Sequence, residues 1–274
     1  MQVCRRLRAE LPKQVPVSLT YGGVGSCNLE ADVPFLLSFH LLKTRVDFTS
    51  RRAEDVDRLI DNLKHIPSLT SLDMGEAGLG PARAARLACV LPAARALARV
   101  GLSVCGLGPA GADHLARALR GARALTALDL RGNRIGEHGA EDLADTLARG
   151  LPALVALCLR SNHLGDGALA RLAPALAGAP ALARLDLSNN SVGPPGAAAL
   201  AAGLPAAPRL AELSLTGNRL ADAGAAALGR ALAAGHAPAL RSLDARWNEI
   251  ADAGAGALAA GLAGAPALTN LDLR

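Results

Sequence analysis

Residues Leu125-Thr126-Ala127-Leu128-Asp129-Leu130-Arg131-Gly132-Asn133-Arg134-Ile135 read as L-x-x-L-x-L-x-x-N-x-L. The frame recurs with leading residues Leu69, Leu97, Leu125, Leu154, Leu182, Leu210, Leu240 and Leu268, at intervals of 28 to 30 residues. Asn133 has counterparts in Asn162, Asn190, Asn218 and Asn248, with Cys105 and Ala77 at the same place in the two earlier copies. A fixed period of this length marks a solenoid, in which one supersecondary unit stacks on the next.

The residue types explain the unit. The L-x-L pair fits a short strand whose alternate side chains point inward. The Asn that follows has an amide able to satisfy the N–H and C=O groups of a buried turn. Cys105 is a weak substitute and Ala77 none, so the first clear repeat is expected to carry a looser ladder. Behind each strand, Gly139-Ala140, Leu143 and Leu147 have helical spacing, as do Gly224-Ala225, Leu228 and Leu232. The recurrent Gly (Gly111, Gly139, Gly167, Gly196, Gly224, Gly254) is expected to let each helix lie close to the strand layer. Pro67, Pro152, Pro180, Pro208, Pro238 and Pro266 stand two residues before a leading Leu and stop each helix. A strand is narrower than a helix, so the stack must curve, with parallel strands on the concave face and helices on the convex face.

Each unit buries five or six Leu-class side chains, at roughly 1.5–3 kcal/mol each. Backbone entropy of about 1–2 kcal/mol per residue takes most of this back. One repeat alone does not fold; the stack does.

The 28–29-residue period with G-x-x-G-A-x-x-L-A-x-x-L helices resembles the ribonuclease-inhibitor-like subfamily of leucine-rich-repeat proteins over roughly residues 41–274. The resemblance implies an α/β horseshoe that binds another protein. Relatives of this kind include ribonuclease inhibitor, the Ran GTPase-activating protein, the sensing ends of nucleotide-binding receptors and axonemal scaffold subunits. Ribonuclease inhibitors are acidic and cysteine-rich, whereas this chain has a net charge of +5 and five Cys. Neither the acidic tail of the Ran activator nor a G-x-x-x-x-G-K-[ST] phosphate loop is found here. A regulator of a small GTPase, a ligand-sensing receptor fragment and an axonemal subunit remain as alternatives.

The organisation expected is an N-terminal cap or linker over 1–40, a degenerate first repeat over 41–68, and an array over 69–274. That array holds seven full repeats and a partial eighth. Counting 28 back from Leu69 gives Leu41, puts Thr44 and Val46 inward, and leaves Arg51 where a Leu belongs. Residues 1–40 contain Gly22-Gly23 and an apolar segment with Phe35, Leu36, Leu37 and Phe39. The last repeat stops at Leu273-Arg274 after its strand, which reads as a chain continuing further or as an edge that a partner covers.

Composition limits function. Residues 1–68 hold ten cations and eight anions, and the rest nineteen and sixteen, so neither part is a basic block and no nucleic-acid partner is expected. Odd cysteines at no metal spacing and the absence of a cleavage site point to a reduced, intracellular and cytoplasmic setting. The apolar run Val33–Leu42 is too short to span a bilayer, so no membrane partner is expected. No catalytic constellation, metal site or cofactor site is expected: the six His are scattered, and His138 and His163 lie one repeat apart but out of frame. The chain is read as a non-enzymatic scaffold, part of a larger complex.

The candidate binding surface is the concave face. One outward column reads Asp73, Gly101, Asp129, Cys158, Asp186, Ser214, Asp244, Asp272. The next reads Gly75, Ser103, Arg131, Arg160, Ser188, Thr216, Arg246, Arg274. The candidate partner-binding residues are Asp129, Arg131, Arg160, Asp186, Asp244, Arg246 and Trp247. The two columns also suit mutual neutralisation across adjacent strands. Trp247 is the only aromatic after residue 48, and Trp and Arg are enriched at binding hot spots.

Overall fold

The structure, a computed structural model, describes residues 17–21, 44–48 and 52–274. Its ten strands form one parallel sheet in which each strand pairs with its neighbours in sequence. They are β1 (Val17–Tyr21), β2 (Thr44–Phe48), β3 (Leu69–Asp73), β4 (Arg99–Gly101), β5 (Ala127–Asp129), β6 (Ala156–Cys158), β7 (Arg184–Asp186), β8 (Glu212–Ser214), β9 (Ser242–Asp244) and β10 (Asn270–Asp272). Between them run α1 (Ala53–Leu63), α2 (Gly80–Val90), α3 (Gly108–Leu119), α4 (Gly136–Ala148), α5 (Asp166–Ala175), α6 (Pro194–Gly203), α7 (Ala221–Ala233) and α8 (Asp252–Gly261). The chain is an α/β leucine-rich-repeat solenoid.

From β4 onward each strand is only three residues long. Leu128, Leu157, Leu185, Leu213 and Leu243 stand in register on β5 to β9 and are buried. Their neighbours on either side face outward. Leu130, Leu159, Leu187 and Leu215 continue the inner stack beyond the strands.

The Asn residues form a ladder between repeats. Asn162 Oδ1 accepts the backbone N–H of Asn133 at 3.0 Å. Its Nδ2 donates to the carbonyl of Leu130 at 2.9 Å, again in the repeat before. Asn133 does the same toward Cys105 and Leu102, at 3.0 and 2.7 Å. Asn190 does it toward Asn162 and Leu159, at 2.9 and 3.1 Å. One side chain thus satisfies a buried donor and a buried acceptor in the turn before its own. The ladder weakens where the sequence predicts: Cys105 Sγ still donates to Met74 O at 3.0 Å, while the N–H of Ala77 turns back to Met74 O within its own turn.

The recurrent Gly sits differently from the expectation. A Cβ on Gly139 would lie 2.9 Å from Ala112 Cβ and 2.5 Å from Ile135 Cγ2. Its closeness serves contact with helix α3 of the preceding repeat and with its own turn, more than contact with the strand layer. Acidic residues in the first turn of one helix also cap the next helix. Asp222 Oδ1 accepts the N–H groups of Ala251 and Gly254 at 2.8 and 2.9 Å, and Asp166 Oδ1 those of Gly193 and Gly196 at 2.7 and 2.9 Å. Substituting Asp222→Ala is expected to cost about 1 kcal/mol, the usual value of an N-cap, read as a lower urea midpoint. An unchanged midpoint would show that the cap adds nothing.

The register of β2 corrects the count from the sequence. Val46 pairs with Leu72 and Asp47 with Asp73, an interval of 26 rather than 28, with an irregularity between Thr44 and Arg45. Val46 is buried as expected, and Phe48, two residues on, is buried with it. The aromatic ring at 48 fills a place that Met74 and Leu102 fill in later repeats. The sheet also begins earlier than expected, because β1 pairs with β2 with Leu19 opposite Val46. Leu41, Arg51, Gly22-Gly23 and the Phe35–Phe39 segment lie outside the described residues.

Candidate protein-binding face

Alternation along the short strands places three columns on the concave face. A groove of about 600 Å³ runs from Arg45 to Asp244, lined by members of the Asp column and of one further column, with Arg131 its one lining residue from the Arg column. Two of the three columns are those read from the sequence. The third is Ser71, Arg99, Ala127, Ala156, Arg184, Glu212, Ser242 and Asn270, in direct register from β3 to β10. The sequence reading missed it, although each member stands two residues before the Asp column, where period 2 puts it on the same face.

The Asp column has a structural task. Asp129 Oδ1 accepts the N–H of Arg131 at 3.1 Å, Asp186 that of Ser188 at 2.9 Å, and Asp244 that of Arg246 at 3.2 Å. Each carboxylate closes the chain as it leaves the strand, as Asp side chains do in turns. The Asp–Arg pairs are also local. Arg131 chelates Asp129, Arg246 pairs with Asp244 at 2.7 Å, and Arg274 pairs with Asp272 at 2.6 Å. Neutralisation therefore runs mainly within a strand end rather than across strands. The crossing pair is Arg246 Nε with Asp272, at 3.5 Å. Hydrogen bonding from Arg246 holds the Asp244 carboxyl below its usual range, and Arg274 holds Asp272 down to about 2. At half-exposed positions such pairs add little stability.

This leaves some groups uncommitted. Arg99 and Arg184 are exposed and make no ion pair among the described residues, and between them in register lie the small Ala127 and Ala156. Arg160 turns toward Asn189, within 3.1–3.2 Å once that amide is oriented to accept. Ser188 and Ser214 share a hydrogen bond of 2.7 Å beside Asp186.

Trp247 projects from the rim of this face with 77% of its surface exposed. Its backbone lies in the left-handed region at φ 58°, as do Glu76, Val104, Gly132, Ser161, Asn189 and Gly217 at the same place in other repeats. Trp247 and the 53%-exposed Val104 are the large apolar members of that column.

Among the described residues no group of His, Cys, Asp and Glu could hold a metal ion, and His138 faces only Glu141, at 3.8 Å. No helix among them is long and apolar enough to cross a membrane. Burial raises the Cys158 thiol to about 12 and the Cys105 thiol to about 11. Exposed Cys89 is thus expected to be alkylated well before either at pH 8, because the thiolate is the nucleophile. Peptide mapping reads the order, and equal labelling of Cys158 would contradict its burial.

The Leucine Rich repeat family matches residues 122–144, 181–201, 210–229 and 236–259. No curated protein matches the chain significantly. Among solved structures, a Bacteroides fragilis protein aligns over 93% of this chain and 73% of its own, at 14% identity and a TM-score of 0.51. The chain in a TLR13–ssRNA13 complex aligns over 93% of this chain at 17% identity and a TM-score of 0.51, and this chain spans 35% of its length. A chain in the yeast Rad7–Elc1 complex aligns at 18% identity over 93% and 69% of the two chains, with a TM-score of 0.47. These identities speak to fold alone. The family matches fall on the β5, β7, β8 and β9 repeats, and the Asn ladder runs unbroken through the β6 repeat between them. The chain is a leucine-rich-repeat protein.

Proposed function

We propose that this chain is a non-catalytic scaffold that binds another protein across the concave face of the sheet, and that it belongs to the ribonuclease-inhibitor-like branch of its family. The branch is supported by the 28–30-residue interval and by a helix of 10 to 13 residues in each repeat from β4 to β9.

The observation that carries the binding reading is Trp247. A left-handed backbone suits Gly or Asn and strains a bulky residue. Gly132, Gly217 and Asn189 occupy this place elsewhere. At 77% exposure the indole gains nothing from the core. A strained, solvated aromatic beside Arg246 and the groove is what a partner anchor requires. Along the same face, Asp129, Arg131, Arg160, Asp186, Asp244 and Arg246 supply charge that fixes orientation more than affinity.

Affinity capture with the full chain, followed by mass spectrometry, tests the reading. Partners held by the wild-type chain are expected to be lost when Asp186→Arg and Trp247→Gly are combined. Retention of the same partners by that variant would contradict concave-face binding.

A further inference from the structure

The fold gathers on one edge cations that are scattered in the sequence. Every strand of a parallel sheet is entered from the same side, so the helix-to-strand connections share one edge of the solenoid. Segments 64–68, 91–98, 120–126, 149–155, 176–183, 204–211, 234–241 and 262–269 make up that edge and contain no Asp or Glu. They carry Lys64, Arg95, Arg120, Arg123, Arg149, Arg209 and Arg241, all exposed. None of the seven makes an ion pair among the described residues, whose ion pairs lie on the concave face and the helices. On the opposite edge, Glu76, Glu137 and Glu249 are interspersed with Arg134 and Arg219. Carboxylates flank this edge without pairing to it: Asp61 in the last turn of α1, Glu212 at the start of β8, and Asp142 of α4, which senses Arg120.

Helix dipoles do not account for this row. All eight helices end at this edge, and a cation near a helix C-terminus is favourable, but the effect fades within the last turn. Arg95, Arg123, Arg209 and Arg241 stand four or more residues beyond the last α-helical residue. The connections 176–183 and 262–269 carry no cation at all.

We propose that this edge is a second interaction surface, and that its occupant is an acidic, Asp/Glu-rich segment of a protein partner laid along the solenoid axis. The inference is independent of the concave-face reading. Six of the seven cations are Arg, whose planar fork meets carboxylates in pairs. No aromatic lies on the edge to stack a base, which favours the acidic peptide over a single-stranded nucleic acid.

Fluorescence anisotropy of a labelled oligoglutamate peptide with the full chain tests this. Binding is expected at low salt, with loss at high salt as exposed charges are screened. Arg123→Glu, Arg149→Glu and Arg209→Glu together should weaken it about tenfold. A control with the same charge change elsewhere, Arg134→Glu, Arg160→Glu and Arg219→Glu, should leave it within about twofold. Circular dichroism confirms that both variants fold. Absence of peptide binding at low salt, or equal loss in both variants, would overturn the proposal. So would tighter binding to an oligonucleotide of equal length or to phosphatidylserine vesicles. Trp247→Gly should leave peptide binding intact, which keeps this surface distinct from the concave one.

Discussion

Replacing Trp247 by glycine is expected to make the chain more stable and its partner complex weaker. The two effects have opposite signs because they arise on different links of the argument. A side chain in the left-handed region costs about 1–2 kcal/mol, and glycine there gives back about 0.5–1 kcal/mol through its larger entropy loss on folding. The net gain is about 0.5–1 kcal/mol, visible as a higher midpoint in urea. The indole contributes no burial to offset this, at 77% exposure. If it anchors a partner, its loss costs about 2 kcal/mol or more of binding, near thirtyfold in Kd. Trp247→Gly therefore separates an anchor from a packing residue. A variant less stable than wild type would mean that the indole packs against something in the free chain. One that binds the captured partner with unchanged Kd would remove Trp247 from the interface.

The largest effect on stability is expected from Asn162→Ala. Asn162 is fully buried and serves two turns at once. Without it the N–H groups of Asn133 and Ile135 lose their side-chain acceptor, the carbonyl of Leu130 keeps only Asn133 Nδ2, and the link to Arg160 O at 3.2 Å goes as well. Buried groups left unpaired cost about 1–3 kcal/mol each, so a loss of about 3–5 kcal/mol is expected. Because a solenoid is coupled mainly between neighbours, the break should also split unfolding into two transitions. Cys105→Ala is the comparison: it removes a weak donor to Met74 O and should cost much less. An Asn162→Ala loss as small as that of Cys105→Ala would mean that water replaces the ladder.

Most of the fold is legible in the sequence because its period is carried by residues with one task each. Leu128 and Leu130 can only be inside, and Asn133 is the residue that a buried turn needs. Legibility fails where a task changes hands. At β2 the ring of Phe48 takes the place of an aliphatic residue and the interval shortens, so a count of 28 lands two residues away. β1 is written in the alternation Val17, Leu19, Tyr21, a signal too short to stand out without its partner strand.

The site is harder to read than the fold. The Asp column looks like a binding feature in the sequence, yet the D-x-R and D-x-S spacing is also that of a turn closed by a carboxylate, and the structure gives it that use. Arg99 and Arg184 carry no hydrophobic mark and emerge only when strands are set side by side. The basic edge is hidden for a similar reason: counting charge by halves of the chain mixes both edges of the solenoid. Trp247 was visible from rarity alone, but its strain and exposure depend on backbone geometry that no residue pattern states.

The central claim is that a protein partner covers the concave face at Trp247. The chain has a single Trp, so fluorotryptophan incorporation gives one fluorine resonance for this position in the whole molecule. In the free chain that resonance should be fully accessible to a soluble paramagnetic agent. With the affinity-captured partner at saturation it should shift and become shielded. An unshifted, equally accessible resonance in the saturated complex would contradict the account.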